Sequence, residues 1–224
     1  MFSREEQLIG DKLYSLKNSK IIIFGVGGVG GFAFEMLVRS GIGNITIVDY
    51  DKVDISNKNR QIIALDSTIG QNKVDVCYNR GKDINADCNI VKINSKLMSD
   101  NIDDFGISDY DYVVDAIDMV TSKVALIKYC HTNDIPIISA MGVGNRLGIP
   151  EFEITDIYKT NNDGLAKVLR KKLRENGISS HKVVFCKNNT ITSVDNKTIG
   201  SISYYPAISG CLMASFVINE LLGR

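Results

Sequence analysis

Residues 20–37 read KIIIFGVGGVGGFAFEML. A β-branched apolar run ends on Gly25, four more glycines follow within six residues, and a helical pattern begins at once. Gly25, Gly27 and Gly30 match G-x-G-x-x-G in the strand-then-helix setting that the motif requires, with Gly28 beside them. Glycines let a backbone approach a phosphate closely, and a helix start offers free N–H groups and about half a positive charge. A nucleotide site carried by a parallel sheet is the direct expectation. The motif serves several nucleotides and does not choose among them, and a plain tight turn is the bland alternative.

The alternation continues along the chain. NITIVD (44–49), NIVKIN (89–94), YVVDAI (112–117) and IPIISA (135–140) join residues 20–25 as expected strands. Nearly continuous apolar runs suit a parallel sheet covered on both faces. Helix-length segments fall at 29–40, 71–86 and 120–133, with a shorter one near 99–105. The pattern predicts an α/β fold: a Rossmann-like, doubly wound, mostly parallel sheet with helices on both faces. Beyond Met141 the pattern changes to a glycine-rich loop (GVGNRLGIP), a short strand (EFEIT), a helix within DGLAKVLRKKLRENG and a strand in HKVVFC. A polar loop around 187–199, SISYY and a buried helix from Pro206 to Leu222 complete it. On the central helix Leu165, Val168, Leu169 and Leu173 form an expected apolar stripe, and Gly177 sits where a helix stops. A single domain over 1–224 is expected, with a nucleotide-binding core at 1–142 and an extension of a strand pair and a basic helix at 143–224.

Formal net charge is zero, yet residues 156–190 hold eight Lys/Arg against three acids. Lys167, Arg170, Lys171, Lys172 and Arg174 crowd the predicted helix. A local basic surface on a neutral chain suits an anionic partner docking at one place, with a solvated helix face as the alternative. The five cysteines, Cys77, Cys88, Cys130, Cys186 and Cys211, form no CxxC pair, so neither a zinc ribbon nor a redox couple is argued. Scattered cysteines suit a reduced, cytoplasmic setting. MFSREEQLIG lacks a secretory pattern, and no apolar stretch is long enough to predict stable membrane insertion.

Asp49 closes the second strand, where a carboxylate can grip ribose hydroxyls of NAD or ATP alike. The following residues break that tie. Asp51, Asn57, Asn59, Arg60 and Gln61 lie just beyond the strand, and Lys73 opens the next helix. Carboxamides orient phosphates, and each charge-assisted contact from an arginine or lysine contributes roughly 1.5–3 kcal/mol. Asp118, at the end of VVDAID, lies on the same predicted sheet edge, where a carboxylate can hold Mg²⁺ between phosphates. An NAD-dependent oxidoreductase leaves Arg60 and Lys73 without a role.

GVGGVGG, IVDYDKVDISNKNRQ, GQNKV and VVDAID resemble the adenylating enzymes related to ubiquitin-activating E1, including the bacterial ThiF and MoeB proteins. SREEQLIG, NRQIIAL, the block from IISAMGVGNRLGIPEF to KLRENGI, KVVF and GSISYYPAISG narrow the resemblance to the tRNA threonylcarbamoyladenosine dehydratases, over nearly the whole chain. The resemblance implies ATP and Mg²⁺ as cofactors, allows a monovalent cation, and places Gly27 and its neighbours, Asp49, Asn57, Asn59, Arg60, Lys73 and Asp118 at the ATP site. It implies Arg60, Lys73 and Asp118 as catalytic groups, joined by Arg4 lent in trans within a homodimer. It further implies tRNA bearing t6A at position 37 as substrate and allows sulfur-relay partners such as a cysteine desulfurase; charge, not the resemblance, turns the 143–224 extension and its basic helix toward that tRNA.

For such an enzyme the threonyl carboxylate attacks the α-phosphate of ATP, and a carbamoyl nitrogen then closes a five-membered ring and expels AMP. The alternative within the fold is activation of the C-terminus of a sulfur-carrier or ubiquitin-like protein. Absent CxxC pairs speak against the zinc site of ThiF- and MoeB-like proteins, and none is expected here. Thioester chemistry would need a reactive cysteine, and Cys186 sits inside an apolar strand pattern that predicts burial. A non-catalytic nucleotide sensor is the remaining class.

Overall fold

A computed structural model describes residues 1–195 and 198–223. Seven strands form one sheet: β1 (Lys20–Phe24), β2 (Asn44–Val48), β3 (Asn89–Ile93), β4 (Tyr112–Asp115), β5 (Ile137–Ala140), β6 (Phe152–Asp156) and β7 (Lys182–Cys186). Their order is β3-β2-β1-β4-β5-β7-β6. All neighbours run parallel except β6, which pairs antiparallel with β7. The doubly wound expectation holds, and the extension joins the sheet through β7 beside β5.

The helices are α1 (Ser3–Ile9), α2 (Lys12–Asn18), α3 (Gly30–Arg39), α4 (Lys73–Ile84), α5 (Val120–Thr132), α6 (Gly164–Glu175) and α7 (Tyr204–Leu221). Successive strand residues point to opposite faces, which divides the core in two. Ile21, Ile23, Ile45 and Ile47 pack on one face with Phe34 and Leu37 of α3 and Met213 and Val217 of α7. Ile22, Phe24 and Val113 pack on the other with Leu126 and Ile127 of α5 and Leu169 and Leu173 of α6.

Several expectations need correction. Strands end one or two residues before their apolar runs do, so Asp49 and Asp118 stand on loops beyond β2 and β4. The segment near 99–105 is a short 3-10 turn, Ile102–Phe105. The last helix starts within SISYY, at Tyr204. The stripe on α6 is Ala166, Leu169 and Leu173; Val168 is 46% exposed, because the helix turns that position away from the sheet. The two N-terminal helices add to the expected elements. Within the polar loop read at 187–199, residues 196 and 197 lie outside the described residues. No helix of the described residues is long and apolar enough to cross a membrane.

Candidate active site

A cavity of about 670 Å³ opens where the strand order reverses, at the carboxyl ends of β1, β2 and β4. Open α/β sheets place their ligands at such a switch point. The size falls within the roughly 300–1,000 Å³ of small-molecule sites.

Gly25, Gly27 and Gly28 line the cavity. Gly25 has φ +85°, and a Cβ there would stand 2.8 Å from the Ala116 carbonyl oxygen. Gly30 does not line the cavity: its missing Cβ would fall 1.8 Å from Gly25 O, so it lets the helix close onto the turn. The turn is tied to β2 by Asp49, which is 8% exposed. Asp49 Oδ2 accepts the Val26 N–H at 2.8 Å and Oδ1 accepts the Asp51 N–H at 2.9 Å. Burial pushes its pKa up, against those hydrogen bonds and the charge of Lys73. Each oxygen keeps a lone pair for a ribose hydroxyl.

The residues expected to face phosphates line the cavity, with one exception. Lys73, buried, stands 2.8 Å from Asp51 Oδ2. Arg60 Nη1 donates to Ser56 O at 2.8 Å and to Asn59 Oδ1 at 2.9 Å. Asn59 Nδ2 donates in turn to Ser201 O at 3.0 Å. Gln61 is 7% exposed, and its buried Oε1 has no hydrogen-bond partner among the described residues. Gln61 also lines the cavity, and its Nε2 would stand 3.6 Å from a Cβ at Gly27. Asp118 stands exposed on the rim. Asn57 is the exception. It is buried and does not line the cavity; its Oδ1 accepts the Asp54 N–H at 3.1 Å and closes a capping box on the turn that leads to Arg60.

Among the described residues no group of three or more His, Cys, Asp or Glu could hold a metal ion. Mg²⁺ at a phosphate site needs only one or two carboxylates, the phosphates supplying further oxygens. Asp118 and Asp51 are hard oxygen donors on the cavity wall and fit that requirement.

The cavity also takes residues that sequence reasoning missed. Lys96, 5.2 Å from the centre of the Tyr50 ring, adds a further cation to the wall. Lys96 follows β3 on the same carboxyl edge, and the rule that located Asp49 and Asp118 could have found it. Val143, Gly144, Thr198 and Ile199 close the far wall. They meet because Asn145 N–H donates to Gly200 O at 2.8 Å while Asn145 Oδ1 accepts the Gly200 N–H at 2.6 Å. That pairing joins residues more than fifty positions apart and leaves no local signal.

Arg4 sits exposed on α1 and does not line the cavity of its own chain. The basic residues of α6 divide into two sets. Arg170 is bonded to Thr160, and Arg174 lies 4.8 Å from the Tyr158 ring centre. Lys167, Lys171 and Lys172 are exposed, the last two within 4.0 and 3.1 Å of Glu175. Cys186 is buried at the end of β7, its thiol directed at Asn188 Oδ1, and burial pushes its pKa up. Such a thiol is a poor nucleophile.

Known proteins are similar to this chain in sequence and fold. A tRNA threonylcarbamoyladenosine dehydratase of Bacillus subtilis is 41% identical over 99% of this chain and 94% of its own length. Its counterpart in Escherichia coli is 39% identical over 77% of this chain and 65% of that protein. The crystal structure of the Escherichia coli enzyme TcdA in complex with AMP superimposes with a TM-score of 0.94 at 31% identity, covering 99% of this chain and 94% of that one. The same enzyme in complex with ATP gives 0.92. The ThiF family pattern matches residues 2–224, from the exposed N-terminal helix to the end of α7. Glycine turn, cationic rim and sheet order thus agree with the match along the whole length, and the chain belongs to the ThiF family.

Proposed function

We infer that the protein is an ATP-dependent tRNA threonylcarbamoyladenosine dehydratase. It adenylates the threonyl carboxylate of t6A at position 37 and cyclises the product with release of AMP and pyrophosphate. One observation carries the reading: Arg60, Lys73 and Gln61 line one cavity with the glycine turn at the sheet's switch point. The homology with named dehydratases over most of their length supports it.

A carboxylate is a poor acyl donor, because oxide does not leave. Its attack on the α-phosphate expels pyrophosphate and turns that oxygen into part of an AMP leaving group. The transfer needs alignment and charge neutralisation more than covalent help from the protein. Asp49 holds the ribose, and the N–H groups of the glycine turn face the phosphates. Arg60 and Lys73 stabilise the negative charge that develops on the phosphoryl oxygens, Lys73 leaving Asp51 to do so. Asp118 and Asp51 would hold Mg²⁺, which when bound neutralises phosphate charge. A carbamoyl nitrogen of the same nucleoside then attacks the activated carbonyl, loses its proton and expels AMP. Intramolecular attack reaches an effective molarity of about 10⁵ M or more when well oriented, so no thioester is needed. Buried Cys186 disfavours the carrier-protein alternative.

The remaining assignments extend that reading. Residues 143–224 face the tRNA, with α6 against its backbone. Helix α1 buries none of its residues within the chain and leaves Leu8 77% exposed, which suits packing against a second copy that receives Arg4 at its ATP. An Arg4→Ala chain mixed with an Asp118→Ala chain should regain activity through hybrid dimers that keep one intact site. Absence of rescue would count against sharing. A tRNA substrate and unpaired cysteines suit a cytoplasmic enzyme. A monovalent cation and a sulfur-relay partner carry no support in the site geometry.

The direct test is incubation with ATP and t6A-containing tRNA, followed by mass spectrometry of the nucleosides. One water should leave the modified nucleoside for each AMP formed. AMP release only with a sulfur-carrier protein would replace this reading.

A further inference from the structure

Beneath the turn that carries Asp118 lies an ion pair shut off from solvent. Lys123 Nζ stands 2.9 Å from Asp115 Oδ2, and both side chains are 0% exposed. A buried pair is weak evidence for stability, since well-packed apolar residues of similar volume often serve a core as well. The contacts suggest another purpose. Lys123, in the first turn of α5, donates to Ile117 O at 3.0 Å and reaches Asp115 O at 3.4 Å. Asp115 Oδ1 accepts the Ile117 N–H at 3.1 Å. Both main-chain polar groups of Ile117 are therefore held from inside the protein. The held carbonyl shares its rigid peptide plane with the Asp118 nitrogen. On the other side of the turn, the Ala116 carbonyl packs against Gly25, so the same segment also touches the phosphate-binding turn.

A second row of groups steadies the pair from behind. Ser139 Oγ donates to Asp115 Oδ2 at 2.6 Å, and His181 Nε2 lies 2.8 Å from Ser139 Oγ. His131 Nε2 lies 3.2 Å from His181 Nδ1 and faces a separate cavity at the amino end of β5. Burial first, then the neighbouring His131 and Lys123, push His181 down to about 3, so its ring is neutral. A neutral ring with its proton on Nε2 leaves Ser139 free to donate onward, and every donor in the row is aimed at Asp115.

We propose that Lys123 and Asp115 are positioning residues for adenylation, holding the Ile117–Asp118 peptide plane, and with it the Asp118 carboxylate, in register with the glycine turn. The proposal rests on the role inferred for Asp118 above. Misplacing a reacting group by about 1 Å can cost on the order of 10²-fold in rate, so a clamp at this point governs turnover more than binding.

The test compares two uncharged double variants, Asp115→Asn with Lys123→Met and Asp115→Asn with Lys123→Gln. They differ in whether position 123 still offers an N–H to the Ile117 carbonyl. The methionine form should lose about 10- to 100-fold in kcat for AMP formation while KM for ATP stays within about threefold. The glutamine form should recover most of that loss at a similar melting temperature. Equal kcat values in the two, or losses that simply track melting temperature, would overturn the proposal. Failure of both to fold would do the same, since the pair would then serve the fold. Asp118→Ala, assayed alongside, separates the two readings. If it is inactive while the double variants match each other, only the clamp fails. If it is fully active, the role of Asp118 fails first.

Discussion

Replacing Asp118 by alanine should lower AMP formation by about 10²–10³-fold, the range seen when one preorganised electrostatic contact is removed from a transition state. The fold should hardly notice. Asp118 is exposed and lies beyond the end of β4, and surface substitutions of that kind usually stay within about 0.5 kcal/mol. ATP should still bind, because the glycine turn, Asp49, Arg60 and Lys73 are untouched. The expected signature is therefore a fall in kcat with a much smaller change in KM for ATP, read from initial rates over a range of Mg²⁺ concentrations. Asp118→Asn keeps the shape and removes the charge, and it should resemble alanine if the charge matters. Turnover near the parent level in both variants would remove the metal-holding role.

Asp118 also illustrates what the amino-acid sequence can and cannot disclose. Its place on the sheet's carboxyl edge is legible, because it directly follows the apolar run YVVDAI, which reads as a strand of a parallel sheet. Its support is not. Asp115 lies in the strand run 112–117 and Lys123 in the helix-length segment 120–133; nothing local says that the two meet with no exposure at all. Asn57 reads as a phosphate ligand beside its neighbours, yet its side chain shapes the turn that presents Arg60. Val168 falls on the wrong face in the sequence pattern because Leu165, Val168, Leu169 and Leu173 fit one helical stripe by spacing alone, and so do Ala166, Leu169 and Leu173. Only packing against the sheet and α5 selects one. The loops bearing Val143 and Ile199 become a wall by long-range pairing, which carries no sequence period. Strand and helix order is robust to such errors because it depends on many residues at once.

Charge reversal on α6 should separate tRNA docking from nucleotide chemistry. Lys167→Glu, Lys171→Glu and Lys172→Glu together alter three exposed cations of α6 whose side chains, among the described residues, pair with nothing but Glu175. Arg170 and Arg174 are left alone, since Thr160 and Tyr158 engage them. Removing one lysine–phosphate pairing should reduce the slope of log K against log salt by about 0.7–0.9, so removing three predicts a fall of roughly two to three. Affinity for t6A-tRNA at moderate salt should drop by on the order of 10²-fold or more. ATP affinity should not move, because none of the three residues lines the cavity. The helix is nonetheless joined to that cavity. Asp163 caps α6 by accepting the Ala166 N–H at 2.9 Å, accepts the Gly142 N–H at 2.9 Å, and lies 3.6 Å from buried Arg146. The loop so held continues into Val143 and Gly144 of the cavity wall. A tRNA backbone docked on α6 would therefore sit on an element braced directly against the cavity proposed for ATP, as delivery of one nucleoside to one phosphate requires. Unchanged tRNA affinity and salt slope in the triple variant would move the docking surface elsewhere and leave α6 a solvated helix.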